Sequence, residues 1–254
     1  MNTLYRFAMM LCLAGCDPLG PVDEGETAPA NGPDGELVPG IVQGRAVDTQ
    51  GRPLADVEVI VDNTLYDNTG LTGRTDADGR YAIAVPDGAW RVYARLQREY
   101  RGRVFTIELA PAEPGGFSGA DGAIRDFEWR LTGEKPAPLV GLHGGTLYVW
   151  VDPDAEIHDD SRIELELVPV GPLIDGSEGA PQTVRPEGGR VEDVPLGAYA
   201  LRAWDAPQGR PRAPLRVRVQ DTEGAPSERV EAVFEPLWAR ELCHDCLRIE
   251  LSRP

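Results

Sequence analysis

Five short runs in the first half of the chain alternate apolar with polar side chains, and that period admits strands only. Val57, Val59 and Val61 share one side of the run 57–61, and Tyr81, Ile83 and Val85 share one side of 81–85. The runs 90–95, 105–109 and 127–131 alternate in the same way. Successive side chains of a strand point to opposite faces, so each run has one face to bury and one to leave in water. Turn residues stand between them: Gln50-Gly51-Arg52-Pro53, Asp78-Gly79 and Pro86-Asp87-Gly88. The 29 glycines and 23 prolines suit short strands joined by tight turns and do not suit a helical protein. No long amphipathic helix is visible. Strands at this spacing predict an all-β sandwich over residues 41–132.

A second β region follows. Residues 133–144, rich in Gly, Pro and charge at their start, read as a linker, and residues 145–254 carry the next set of runs. These are 147–151, 163–167, 199–204, 215–219, 230–234 and 247–251, with a long polar loop expected over 169–186. A short internal repeat ties the two halves together. Ala84-Val85-Pro86-Asp87-Gly88-Ala89-Trp90 can be laid over Asp193-Val194-Pro195-Leu196-Gly197-Ala198-Tyr199, in each case a strand end, a Pro-x-Gly turn and an aromatic opening the next strand. The second region is expected to be a related sandwich, transthyretin-like or immunoglobulin-like.

The N-terminus has a different logic. Arg6 precedes the apolar stretch 7–14, and Gly15 and Cys16 follow at once, the layout of a secretory signal over residues 1–15. The stretch is too short to span a bilayer. Leu13-Ala14-Gly15-Cys16 resembles the lipobox of bacterial lipoproteins, which implies cleavage before Cys16 and lipid, palmitate included, on that cysteine. Residues 16–40 then read as a disordered tether, because their Pro, Gly and acid-rich composition cannot bury enough surface to fold. As a flexible coil such a segment reaches about 25 Å. The expected location is the bacterial cell envelope, with the chain held to a membrane at the outer surface or the periplasmic face.

From residue 41 to 131 the sequence resembles the carboxypeptidase regulatory-like domain, a transthyretin-like sandwich. The matching pieces, in order, are Gly44-Arg45-Ala46-Val47-Asp48, Gly51-Arg52-Pro53-Leu54-Ala55-Asp56-Val57, Thr75-Asp76-Ala77-Asp78-Gly79-Arg80-Tyr81 and Val85-Pro86-Asp87-Gly88-Ala89-Trp90. Asp56 departs from the family, which commonly has glycine there. The resemblance implies a structural or binding module without catalytic residues of its own, and it permits sugar binding.

Local chemistry is sparse. Asp76-Ala77-Asp78-Gly79 has part of a calcium-loop pattern, but Arg74 stands where the first acidic ligand belongs, and turn preferences favour a hairpin. Asp152, Asp154, Glu156, His158, Asp159 and Asp160 form the densest acid cluster, with no metal-ligand spacing among them. Cys243-His244-Asp245-Cys246 is the sharpest local motif. In an exported protein Cys243 and Cys246 can form a disulfide, while free thiols, a redox pair or a zinc site remain alternatives. Zinc would need two more ligands, and His143 and His158 are distant in sequence. Trp90, Tyr93, Tyr148, Trp150, Tyr199 and Trp204 are candidates for a sugar-stacking surface. Alternation sets Trp90 against Tyr93 and Tyr199 against Trp204 on opposite faces, so part of the group belongs to the core.

With 42 acidic against 25 basic residues, a formal charge of −17, the chain should repel nucleic acid. No nucleophile elbow, phosphate loop or dinucleotide fingerprint is present. The sequence therefore reads as a non-enzymatic envelope lipoprotein without catalytic residues, metal or cofactor, acting as a structural or protein-interaction module. The alternative is a carbohydrate-binding surface lipoprotein. Its expected partners are the membrane, through Cys16, and an envelope protein or a polysaccharide.

Overall fold

The computed structural model describes residues 35–66, 69–137, 139–237 and 243–254. The expected signal segment, Cys16 and the tether up to residue 34 lie outside the described residues. Among the described residues no helix is long and apolar enough to cross a membrane.

The first half folds as strands β1 (Ile41–Val47), β2 (Glu58–Asn63), β3 (Leu71–Arg74), β4 (Arg80–Ala84), β5 (Ala89–Tyr100), β6 (Arg103–Glu108), β7 (Ala110–Pro111), β8 (Phe117–Ser118), β9 (Ala123–Ile124) and β10 (Phe127–Glu128). One sheet runs β4-β1-β10-β7 with β9 also on β1, and the other runs β3-β2-β5-β6 with β8 on β5. The alternation seen in the sequence fills the space between them. Val42, Ala46, Tyr81 and Phe127 are buried from the first sheet, and Val59, Val61, Trp90, Val92, Ala94, Phe105 and Ile107 from the second.

The run 127–131 is a shorter strand than its pattern predicts. Only Phe127 and Glu128 pair with β1, whose last residue, Val47, stands opposite Glu128, while β9 takes the other end of β1. Between the two contacts Arg125 donates to the Gln43 carbonyl, and the Asp126 carboxylate accepts from the Arg45 amide at 2.9 Å. The crossing chain passes so close to Gly44 that a Cβ there would lie 2.0 Å from the Arg125 carbonyl oxygen. Glycine is the residue that allows that approach.

The second half consists of β11 (Gly145–Val151), β12 (Ile163–Pro169), β13 (Gln182–Val184), β14 (Arg190–Val194), β15 (Ala198–Asp205), β16 (Ala213–Val219), β17 (Val230–Val233), β18 (Glu235–Leu237) and β19 (His244–Ser252). Their order is β13-β12-β15-β16-β19-β11-β14, with β17 on β15 and β18 on β19. β16 belongs to both layers. Its first residues pair with β15 (Asp205 opposite Ala213, Ala203 opposite Leu215), and its last pair with β19 (Arg216 opposite Ser252, Val219 opposite Ile249). A strand that changes sheets in this way makes the corner of a sandwich. β11 and β19 run parallel, Leu147 beside Leu247 and Val149 beside Ile249, and these four side chains are buried.

The buried apolar residues of both halves form one contiguous cluster.

Candidate functional site

The contact between the sandwiches is built by the tip of the β5–β6 hairpin. The Tyr100 hydroxyl donates to the Pro172 carbonyl at 2.9 Å and accepts from the Ala198 amide at 3.1 Å. Arg101 donates to the Val170 carbonyl, and Arg98 to that of Ile174 at 3.3 Å. Arg103 makes a two-pronged pair with Glu235, at 2.7 and 2.6 Å, and the hydrogen bond to that carboxylate holds the guanidinium pKa above its ordinary value. Residues 169–186, expected as a long polar loop, supply most of these acceptors. Leu173, Ile174 and Asp175 within it are buried, and β13 forms inside it. Leu173 and Ile174 are the apolar residues of this stretch that the fold buries.

Asp175 closes the joint from the other side. It accepts from the Thr49 hydroxyl at 2.5 Å, from Gln50 at 3.1 Å, and from Ser177 through both its amide and its hydroxyl. Burial pushes its pKa up, but these hydrogen bonds outweigh it and hold the carboxyl below the ordinary value. A charged acceptor with this many donors is worth more than a neutral one.

The segment 133–144 between the sandwiches is a closed loop. Lys135 donates its amide to Gly141, His143 its amide to Gly133, and Glu134 bridges Leu142. The Asp193 carboxylate holds both ends, accepting from Gly133 at 2.8 and 3.0 Å and from Gly144 at 3.0 Å. Lys135 also reaches Glu108 of the first sandwich at 2.6 Å. Burial, aided by Lys135 and Arg130, lowers the pKa of His143.

The other residues singled out in the sequence fall into place separately. Asp76 accepts from the amides of Asp78 and Arg80, at 2.9 and 2.8 Å, and Gly79 follows in the left-handed region, so the segment is a hairpin turn. In the acid loop, Asp152 caps the short helix Pro153–Ala155 and Asp159 caps Asp160–Arg162, while Asp160 accepts from the Gly189 amide at 2.7 Å. These carboxylates satisfy backbone N–H groups. Among the described residues no three His, Cys, Asp or Glu side chains gather as a metal site. Cys243 and Cys246 are paired sulfur to sulfur, with Cα atoms 6.0 Å apart, inside the span that disulfides use.

The aromatic residues divide as the alternation requires. Trp90 is buried and donates to the Pro86 carbonyl at 2.9 Å; Tyr199 is buried and donates to the Pro195 carbonyl at 2.7 Å. Tyr93 borders an apolar hollow of about 230 Å³ with Ile60, Pro111 and Leu139. Trp204 lies under Arg212, whose guanidinium sits 4.2 Å from the ring centre. Tyr148 and Trp150 project together from the outer face of β11, ring centres 6.0 Å apart.

No curated protein matches the chain. Among solved structures it is similar to the Bacillus anthracis TIE protein (14% identity, 85% of this chain and 34% of that one, TM-score 0.34). It is similar also to a streptococcal ancillary pilin (14% identity, 84% and 62%, TM-score 0.27). A third is a DUF3823 family protein from Parabacteroides merdae (16% identity, 77% and 99%, TM-score 0.24). The chain spans about a third of the first of these and less than two thirds of the second. The family comparison bears directly on the first sandwich: residues 41–116 match the family model, and the chain contains there a carboxypeptidase regulatory-like domain.

Proposed function

We propose that this chain is a non-catalytic, lipid-anchored module of a bacterial cell envelope, whose two sandwiches act as one stiff body that meets protein partners. The observation that carries this reading is the joint. Contacts between domains that move freely are small and polar. Here the apolar core is contiguous, and the hairpin tip 100–103 makes hydrogen bonds to Val170, Pro172, Ala198 and Glu235 around it. A stiff body on a tether transmits position, which suits a scaffold. In the most acidic loop Asp152, Asp159 and Asp160 serve as caps and backbone acceptors, which suits a structural role.

Partner contact has available edges. β13 and β14 end the strand order of the second sandwich, and β3 ends one sheet of the first. A free strand edge invites pairing with an extended segment of another protein. Lipid on Cys16 would hold the assembly to the membrane.

Crosslinking of the full chain in native envelopes, with identification of what is captured, tests the proposal. The expected result is a small set of recurring envelope proteins, together with release of Cys16→Ser from the membrane fraction. Capture of no protein above the level of a scrambled-edge control would overturn the interaction role, and membrane retention of Cys16→Ser would overturn the anchor.

A further inference from the structure

The outer face of β11 carries two aromatic rings side by side. Leu147 and Val149 turn inward and are buried, while Tyr148 and Trp150 turn outward from a strand flanked on both sides by β14 and β19. Their ring planes differ by 35°, and Trp150 is 48% exposed. A large aromatic ring left this open loses the stabilisation that burial gives it elsewhere in the same fold. Trp90 and Tyr199 are buried, and Trp204 is covered by Arg212. In the Tyr148–Trp150 pair, Trp150 is exposed and Tyr148 half-buried beside it.

The neighbours narrow what can lie on it. Strand register sets Arg190 and Arg248 beside Tyr148, and Glu250 beside Trp150. Each of these charges is matched within the face: Arg190 by Glu192 at 2.9 Å, Arg248 by Asp221 at 2.6 Å, and Glu250 by Arg218. In a chain of charge −17 this strip is neutral pair by pair. The side chains in register with the two rings therefore present no surplus charge of either sign. The strip lies on the flat face of a sheet, which favours a broad, flat ligand over a helix that needs a groove.

We propose that Tyr148 and Trp150 form a stacking platform for an uncharged β-1,4-linked polysaccharide. In the glucose and N-acetylglucosamine polymers of this linkage the ring substituents are equatorial and each sugar presents a face of C–H groups. Those weakly positive hydrogens suit the negative face of an aromatic ring. Two rings side by side engage neighbouring sugars of one ribbon. The salt-paired arginines and acids along the edges supply planar donors and acceptors for the hydroxyls that point sideways.

The test uses the purified full chain in detergent, with depletion from solution by microcrystalline cellulose and by insoluble chitin as the measurement. Cross-linked dextran, an α-linked polymer, and vesicles of zwitterionic phospholipid serve as contrasts. Saturable binding to at least one β-1,4 polymer is expected. It should weaken by about tenfold or more in Trp150→Ala and in Tyr148→Ala, the size usual for an aromatic anchor, and stay within about twofold in Trp204→Ala. Raised salt should leave it unchanged, because no net charge takes part. Melting curves of the variants establish that they fold. Absence of binding to both β-1,4 polymers overturns the proposal, as does unchanged binding by Trp150→Ala. Vesicle binding that depends on Trp150, without polysaccharide binding, would assign the platform to a membrane surface instead.

Discussion

Arg103 and Glu235 join the two sandwiches through parallel hydrogen bonds, Nε to Oε2 at 2.7 Å and Nη2 to Oε1 at 2.6 Å. The pair is the most visible link across the joint, yet its side chains are 34% and 46% exposed, and a solvated ion pair contributes little. A double-mutant cycle on Arg103→Ala and Glu235→Ala should give a coupling of about 0.5–1 kcal/mol, smaller still at high salt. Tyr100→Phe removes the bonds to Pro172 and Ala198 and should cost more, about 1–2 kcal/mol, with looser interdomain scattering profiles in solution. Urea denaturation ranks the two. An ion pair worth more than the tyrosine would contradict this account.

Trp90 and Tyr199 occupy the same place in the two halves of the weak repeat, and each returns its polar tip to the proline carbonyl four residues earlier. The hydrogen bond fastens a buried aromatic to the turn that precedes it. Tyr199→Phe keeps the ring and loses the hydrogen bond to the Pro195 carbonyl, so a loss of about 1 kcal/mol is expected. Trp90→Phe loses volume as well as the bond and should cost more, about 2–4 kcal/mol. Thermal unfolding checks both.

That pair also marks how far the sequence could be read. Alternation set Trp90 against Tyr93 and Tyr199 against Trp204 on opposite faces, because a strand gives period two wherever one face is buried, and the structure turns Trp90 and Tyr199 inward. Turn chemistry placed Gly79 and read Asp76 as a hairpin residue. The joint was hidden for a physical reason. Its acceptors are the backbone carbonyls of Val170, Pro172 and Ile174, which carry no residue signature, and its donors come from a hairpin tip some seventy positions away. The role of β16 in both layers was hidden too, since a strand that changes sheets keeps its alternation throughout. The caps at Asp152 and Asp159 were hidden in the acid cluster because capping and coordination use the same residue types.

Asp56 has a φ of +63°, a backbone conformation that glycine adopts freely. A side chain in the left-handed region carries a cost that glycine avoids. Arg74 meets the Asp56 carboxylate at 2.8 Å, but both side chains are well exposed and the contact offsets little. Asp56→Gly should stabilise the first sandwich by about 0.5 kcal/mol, and Asp56→Val should destabilise it by about 1–2 kcal/mol. A reversed order in chemical denaturation would show that the Arg74 contact governs this turn.

Asp193 combines a left-handed backbone, φ +60°, with a carboxylate that holds both ends of residues 133–144. The two functions separate by substitution. Asp193→Gly keeps the backbone at ease and loses the clasp, about 1–2 kcal/mol. Asp193→Ala loses the clasp and adds strain, about 2–3 kcal/mol, while Asp193→Asn retains part of both and should cost least. Protease cutting within 133–144 should speed up in the same order.

Asp245 gives the protein a pH signature. It lies between the paired cysteines at φ +53°, and burial pushes its pKa from 3.8 up to about 6; Glu108 adds to the shift, while Lys135 and His244 oppose it. Between pH 3.8 and 6 the unfolded chain has given up this proton and the folded chain still holds it. Stability therefore falls as pH rises through that window, and the deficit persists above it. Two pKa units set a ceiling of about 3 kcal/mol, and residual solvent contact should bring the measured value well below that. Asp245→Asn mimics the protonated acid and tolerates the left-handed backbone. It should match the natural chain near pH 4 and exceed it in stability at pH 7–8, by about 1–2 kcal/mol. Urea midpoints across pH 4–8 for both proteins make the comparison. A gap that does not widen from pH 4 to pH 7 would mean that the carboxyl is ionised without cost in the fold.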